Sequence, residues 1–562
     1  MKGVDFMDKL NNESNTNIEE ILENYRKDPS PKVSELNTMI IIFVTCIIGA
    51  IIGMELIVNL GISANTSVIG ALIAVLLSMI PIKFFKNLKN VFRQNLIQTS
   101  ISAATFTAGN VFMVSLGAIW IYGDMSLINP MIIGCTIGLL IDIFLMYRLF
   151  DTPVFPAKGT WPAGVATAET IISVVGGGKR AILLVATSIV GAIGQFLGIP
   201  MDICGVCWIG NVWALIMFGV GLIISGNSTN FFGFAIGDLY IPHGMMIGAG
   251  IVALVQLVRT LLSKNNKLIS EVNIDNTDGN VNSDTTIKDS NHSIKSIGTG
   301  FLLYIILSII IALLAGLFSK MSTSMFIVWV LFTSVTTIIS ELIVGTAAMH
   351  AGWFPAMAIS LMFLIIGMFF KFPPKALLMF VGFKTATGPA FADMGYDLKT
   401  GWILRGHGND PAYEISGQRE QFIGEVLGAI IGSVVAILSF KRYFMNGQIP
   451  PFSSVFVATI NAGTSPEVLR ILIIFGIIGG IIQAIGGTEK QIGVMFATGL
   501  LIGNTIGGIF ALVAIAIRVF LEKKYGEQVS SIIAVSAAGF IVGSSLYNFS
   551  SGIFKTIKKK GV

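Results

Sequence analysis

The sequence predicts an all-α, polytopic membrane protein, and three observations predict it. The 562 residues are 54% hydrophobic. Only 12% are Asp, Glu, Lys or Arg, against about 25% in an ordinary soluble protein. The apolar residues also gather into roughly 16 long runs instead of alternating, the pattern of helices that cross a bilayer.

A soluble chain of this length would divide into several domains, each with its own charged surface. The 36 basic and 31 acidic residues are too few to cover such surfaces, and mean hydropathy is +0.81. Soluble enzymes, nucleic-acid binders and disulfide scaffolds are therefore excluded, and the lipid bilayer is the first partner. The net charge of +5 says little, and the four cysteines (Cys46, Cys135, Cys204, Cys207) stand inside apolar runs. The polar start, residues 1–37, lacks the apolar core of a signal peptide, so it reads as a cytoplasmic tail and the first run is retained as a span.

In order, the apolar runs cover 38–60, 64–82, 98–121, 129–147, 162–177, 181–198, 205–225 and 241–262, making a first transmembrane half over 38–262. Residues 263–296 follow, with four lysines, five acidic residues and no aromatic. That composition cannot bury apolar area and reads as a flexible cytoplasmic linker. The second half, 297–562, offers 299–318, 324–343, 346–369, 375–392, 420–439, 467–486, 491–517 and 529–554, giving roughly 14–16 spans for a chain of this hydropathy. Lys83, Lys86, Lys89 and Arg93, then Arg148 and Lys158, then Arg259, Lys264 and Lys267 place alternate loops in the cytoplasm by the excess of basic residues on that side. Lys179 and Arg180 disagree, which questions whether 162–177 spans fully. Lys441 and Arg442 would fall outside unless one run is false, and 375–392 is the candidate: Pro373 and Pro374 precede it, and it contains Lys384, Gly388 and Pro389. Irregular, charged backbone at membrane depth survives only against protein or a water-filled cavity, so this run reads as re-entrant or broken. Gly244–Gly248, Gly499–Gly503 and Gly539–Gly543 repeat a glycine spacing, and Trp161-Pro162-Ala163 echoes Trp353-Phe354-Pro355-Ala356. Close helix packing through small residues and duplicated transporter halves both account for these echoes.

An ionisable group inside a span costs about 2.5–3.5 kcal/mol on insertion scales, so each is a functional hypothesis. Glu169, after GTWPAGVATA, and Glu341, the one acidic residue between Met321 and Phe370, are the leading proton-coupling candidates, with Glu55 third. Desolvation disfavours a charged carboxylate, which suits such a group to carrying a proton. His350 lies nine residues after Glu341. Asp142, Glu467 and Arg470 stand nearer segment ends and read as interfacial. Cys204 and Cys207 share a helical face but no further Cys or His pair completes a metal set. Neither a metal site nor a cofactor is expected, and no Walker A, HExxH or GxSxG occurs.

The most unusual segment runs Asp393-Met-Gly-Tyr396-Asp397-Leu-Lys399-Thr-Gly401-Trp402, then Gln418-Arg-Glu420-Gln421-Phe-Ile-Gly424-Glu425. An acidic residue before Asp-Leu-Lys-Thr-Gly, followed by Gln-x-x-Gln-x-x-Gly, resembles the oligopeptide transporter (OPT) family, which includes the yellow stripe-like metal-chelate carriers. Pro130, Arg148, Pro156 and Gly159-Thr-Trp161-Pro-Ala-Gly164-Val-Ala-Thr-Ala168 are similar to the family's Tyr-Pro-Ser-Gly-Thr-Ala-Thr-Ala segment. Tyr240-Ile-Pro-His243 through Gly248, and Ala538 through Gly543, resemble its glycine-rich helices. The likeness runs from about residue 129 to 546. Trp161 stands where the family has Tyr, and Gly352-Trp-Phe-Pro355 where it has Asn-Pro-x-Ser-Gly. The resemblance implies a multi-pass, proton-coupled importer of short peptides or peptide-like chelates in the cell membrane, not an enzyme. Uptake of metal chelates is the alternative; a gated pore fits less well, since channels repeat a selectivity-filter element. The substrate candidates are Lys384, Asp393, Tyr396, Asp397 and Lys399, with Trp161 and His350 beside them. A zwitterionic peptide needs both signs, and Lys384, Asp393, Asp397 and Lys399 supply them within sixteen positions. The expected partners are a small molecule or short peptide, and protons or another coupling cation. A homo-oligomer is left open.

Overall fold

A computed structural model describes residues 26, 30–61, 70–71, 73–74, 90–175, 178–253, 255–256, 259, 288–351, 356–463, 466–526 and 529–560. Its elements are helical. In chain order they are α1 (Leu36–Leu60), α2 (Val91–Phe106), a π-helical turn (Thr107–Met113), α3 (Val114–Tyr122), α4 (Ile128–Leu149), α5 (Pro162–Val175), α6 (Gly178–Phe196), α7 (Met201–Ile209), α8 (Val212–Gly226), α9 (Ser228–Phe232) and α10 (Ile241–Ala253). The rest are α11 (Ser290–Leu314), α12 (Thr323–Ala351), α13 (Ala356–Phe369), α14 (Pro374–Ala386), α15 (Pro389–Leu404), α16 (Pro411–Met445), α17 (Pro451–Ala462), α18 (Pro466–Lys490), α19 (Ile492–Ile502), α20 (Thr505–Tyr525) and α21 (Ser530–Lys560).

Eight helical stretches among the described residues are long and apolar enough to cross a bilayer, and several shorter apolar helices accompany them. They divide by what surrounds them. Of the most apolar stretch of α18, 28% is buried, and Ile473, Ile477, Ile481 and Ile485 face outward, as a lipid-facing helix requires. The continuous α2–π–α3 rod is 89% buried over the same measure. It owes this to composition: Gln94, Asn95, Gln98, Thr99, Ser100, Ser102, Thr105, Thr107 and Asn110 are all buried. A helix carrying so many amides and hydroxyls cannot face hydrocarbon, where each polar group without a partner costs several kcal/mol.

The 375–392 run is broken, as its prolines and glycine predict. α14 ends at Ala386, Gly388 adopts φ 113°, and Pro389 restarts the chain as α15. A non-glycine residue is strained at that φ, and proline at the first helical position lacks an N–H that would have no partner there. With 13 and 16 residues, neither half alone reaches the ~20 that a crossing needs. At the other end of α14, the Lys375 ammonium pairs with Asp124 in the turn after α3 and holds that carboxyl below its ordinary range. The doubtful 162–177 run is the 14-residue α5.

Two runs read as single spans are also broken, each at a Gly-Asn step. The 205–225 run divides at Gly210-Asn211, where the Asn211 side chain accepts from Ala214 N–H at 3.1 Å. The 491–517 run divides at Gly503-Asn504, where Asn504 accepts from Gly507 N–H at 2.9 Å. In both, the asparagine caps a fresh helix. The two broken units interlock: a Cβ on Gly221 would strike backbone of α19, and one on Gly508 would strike backbone of α8.

The polar stretch 263–296 is described only from residue 288. Lys288 donates to the carbonyls of Tyr147 and Phe150 at 2.9 Å each, Asp289 caps α11 through His292 N–H, and Ser296 is fully buried. The helix thus begins at Ser290, inside the stretch read as linker.

Candidate functional site

The Asp-Leu-Lys-Thr-Gly block lies inside α15, whose 16 residues are all buried except the half-buried Ile403. It therefore lies at the centre of the bundle, with one group of charged side chains at the helix break before it and another between α15, α2 and α16.

The first group lies at the helix break. Asp142 of α4, read as interfacial from its place in the run, is fully buried. Its Oδ1 accepts from the Tyr304 hydroxyl at 2.5 Å, and its Oδ2 accepts from Gly388 N–H at 2.7 Å, the backbone donor that the break exposes. Position in a run could not show this, because the partners lie 162 and 246 residues away. Glu341 of α12 is fully buried close to Asp142 and Tyr304, yet neither oxygen meets hydrogen-bond geometry with a described partner. Lys384, 1% exposed, feels both carboxylates. Among the described residues its ammonium makes one long hydrogen bond, 3.4 Å to Thr387 Oγ1. An ammonium has three donors, so this lysine retains capacity to bind an anion.

The second group lies between α15, α2 and α16, and here three i, i+4 pairs converge: Gln98 and Ser102, Asp393 and Asp397, Gln421 and Glu425. Residues so spaced share a helix face. Ser102 donates to Asp393 Oδ1 and Gln98 Nε2 donates to Asp397 Oδ1, both at 2.6 Å. Gln421 Nε2 donates to the Asp397 carbonyl at 2.5 Å while its Oε1 accepts from Arg405 at 2.8 Å. Arg405 grips Glu414 through two further 2.8 Å bonds, and the pair is buried. Gly401 and Gly417 make the slot for that guanidinium, since a Cβ on either would collide with it. Asp393, Asp397 and Glu425 each bring one carboxylate oxygen within 4.8 Å of the other two. Sequence reasoning quoted Gln421 and Glu425 as motif residues but gave them no role; their i, i+4 spacing matched to that of Asp393 and Asp397 was the available signal. Gln98 and Ser102 lay unremarked in an apolar run.

The remaining candidates scatter. Lys399 Nζ donates to the carbonyls of Ala157 and Gly159 at 2.7 and 3.0 Å and sits 4.3 Å above the Trp402 ring. Trp161 is fully buried edge-on to Tyr396, with its backbone N–H donated to Met349 O at 2.8 Å and its indole N–H to Pro156 O at 3.1 Å. These three, Lys399, Trp161 and Tyr396, fasten the segment after α4 to α15. Glu55 accepts from Tyr443 O–H at 2.7 Å and from Asn59 at 3.1 Å, joining α1 to α16 away from both clusters. Glu169 and His350 stand on α5 and α12, but their side chains lie outside the described residues.

A model of the family described as OPT oligopeptide transporter protein matches residues 203–555. No curated protein and no solved structure matches the chain. The matched region holds the broken α14–α15 helix, the Asp-Leu-Lys-Thr-Gly block and more than half of the sequence: the chain belongs to the OPT oligopeptide transporter family.

Proposed function

We propose that the protein is a proton-coupled secondary transporter that imports short peptides, with its substrate contacts at the break between α14 and α15. The observation that carries this reading is Lys384, a buried ammonium with spare donors near Asp142 and Glu341 at the helix break. Discontinuous helices that present a helix start and a buried charge are the way secondary transporters hold polar solutes at membrane depth. In this reading Lys384 binds the peptide carboxylate. Glu341, whose oxygens lack a described hydrogen-bond partner, carries the proton. Glu169 remains a second coupling candidate by sequence, and Glu55, already satisfied by Tyr443, a weaker one.

Uptake of labelled di- and tripeptides by proteoliposomes under an imposed pH gradient tests the proposal, with metal–chelate complexes assayed in the same preparation. Peptide uptake is expected to be saturable and gradient-dependent. Glu341→Gln is expected to abolish concentrative uptake while leaving peptide exchange measurable. Linear, gradient-insensitive flux would make the protein a pore, and uptake confined to metal chelates would replace the substrate class.

A further inference from the structure

The carboxylates gathered between α2, α15 and α16 play no part in the reading above. We propose that Asp393, Asp397 and Glu425 form a binding site for one hard divalent cation of calcium size, set between α2, α15 and α16.

Three observations carry it. The first is spacing. Calcium holds oxygens at 2.3–2.6 Å, so oxygens on one ion lie up to about 5 Å apart, and the three carboxylates present one oxygen each within 4.8 Å of one another. Magnesium demands near-ideal octahedral geometry and gives up its waters reluctantly, so a fully buried carboxylate set suits calcium better. The second is Glu425 itself. It comes from a different helix than the aspartates, is fully buried, and neither oxygen meets a hydrogen-bond donor among the described residues; its neighbour is the Asp397 carboxylate. Its carboxylate is nonetheless aimed at two others of the same sign. Burying an ionised carboxylate without a counter-charge costs several kcal/mol, and Arg405, the nearby guanidinium, is committed to Glu414 and Gln421. A bound cation supplies what the side chains do not.

The third is the chemistry of the donor set. The ligands are all oxygen, with no thiolate or imidazole among them, which selects hard ions. Three carboxylates favour a divalent over a monovalent ion, which would leave two negative charges uncompensated. Ser102 and Gln98 donate to Asp393 and Asp397 at 2.6 Å, and such outer contacts fix the direction in which a ligating carboxylate points.

The test is titration of the purified full-length protein, stripped with chelator in detergent, with calcium chloride by isothermal calorimetry, and with magnesium chloride in parallel. One calcium per chain is expected, with magnesium at least tenfold weaker. Glu425→Gln and Asp393→Asn are each expected to weaken calcium at least tenfold. To separate ligand loss from misfolding, melting is followed with and without calcium. The wild type should gain stability with calcium, whereas Glu425→Gln should melt at least as high as the stripped wild type and gain nothing. A wild type that binds no calcium, or a Glu425→Gln protein that binds it unchanged, overturns the proposal and leaves the three carboxylates held together by shared protons.

Discussion

Lys384 and Arg405 are both buried cations on neighbouring helices, and they differ in whether their hydrogen bonds are already used. Arg405 makes two bonds to Glu414 and one to Gln421, all at 2.8 Å, while Lys384 has, among the described residues, a single 3.4 Å contact to Thr387. That contrast assigns structure to the first and binding to the second. Removing one partner of a buried pair leaves the other as an uncompensated charge, which costs about 3–5 kcal/mol. Arg405→Ala should therefore lower the melting temperature sharply, and Arg405→Met combined with Glu414→Gln should recover most of the loss. A double variant as unstable as the single one would show that the guanidinium is needed for more than Glu414. Losing one side of a desolvated charge contact to a ligand costs about 2–5 kcal/mol. Lys384→Ala should thus raise the half-saturating peptide concentration at least tenfold with the protein correctly inserted. An unchanged value would move the substrate carboxylate elsewhere.

At the scale of elements, glycine sets how closely helices approach. The recurring spacing seen in the sequence is a packing feature at each place: Gly248 of α10 abuts the Gly476 carbonyl of α18, Gly499 of α19 abuts the Phe218 carbonyl of α8, and Gly543 of α21 abuts the Ser188 carbonyl of α6. In each case a Cβ would overlap backbone, which cannot rotate away as a side chain can. Gly248→Ala should destabilise the protein by about 1–3 kcal/mol, the usual cost of overpacking, read as a fall in melting temperature. Gly298→Ala on α11, where a Cβ meets nothing within 4 Å, should be neutral or slightly stabilising because alanine is the better helix former. Equal effects at both sites would mean that backbone entropy, not helix separation, governs the glycines. The Gly-Asn breaks of the 205–225 and 491–517 runs belong to the same scale. Hydropathy averages across them, since two residues barely alter an apolar window, yet a glycine followed by a capping asparagine is a legible stop-and-start signal.

For the whole molecule, the test concerns the connection between its halves. Exchanging residues 263–287 for a Gly/Ser chain of equal length should leave uptake intact, whereas extending the exchange through residue 296 should impair it. The longer replacement removes Lys288 from the carbonyls of Tyr147 and Phe150 and Ser296 from Arg148, contacts that seat α11 on α4. Composition marked the stretch as polar but could not show where α11 begins, because Lys288 and Ser296 are as hydrophilic as their neighbours and differ in having partners at the end of α4. The same division holds across the molecule. The all-helical membrane class, the broken α14–α15 helix and the family were legible, since each rests on local composition or a contiguous motif. The placement of Asp142 beside Gly388, and of Glu425 beside Asp393 and Asp397, was not, since it depends on which helices meet.

The polar rod α2 has a consequence for how the chain is made. Its Gln98 and Ser102 find their partners at Asp397 and Asp393, residues synthesised 299 and 291 positions later. When α2 leaves the ribosome, α15 and α16 do not yet exist, and a helix bearing seven buried polar side chains lacks the partners that Asp393 and Asp397 later supply. It must wait at the translocon, at the water interface or against α1 until α15 and α16 arrive, so the centre assembles only after most of the chain has been made. The order of synthesis therefore makes the first half dependent on the second for its own insertion.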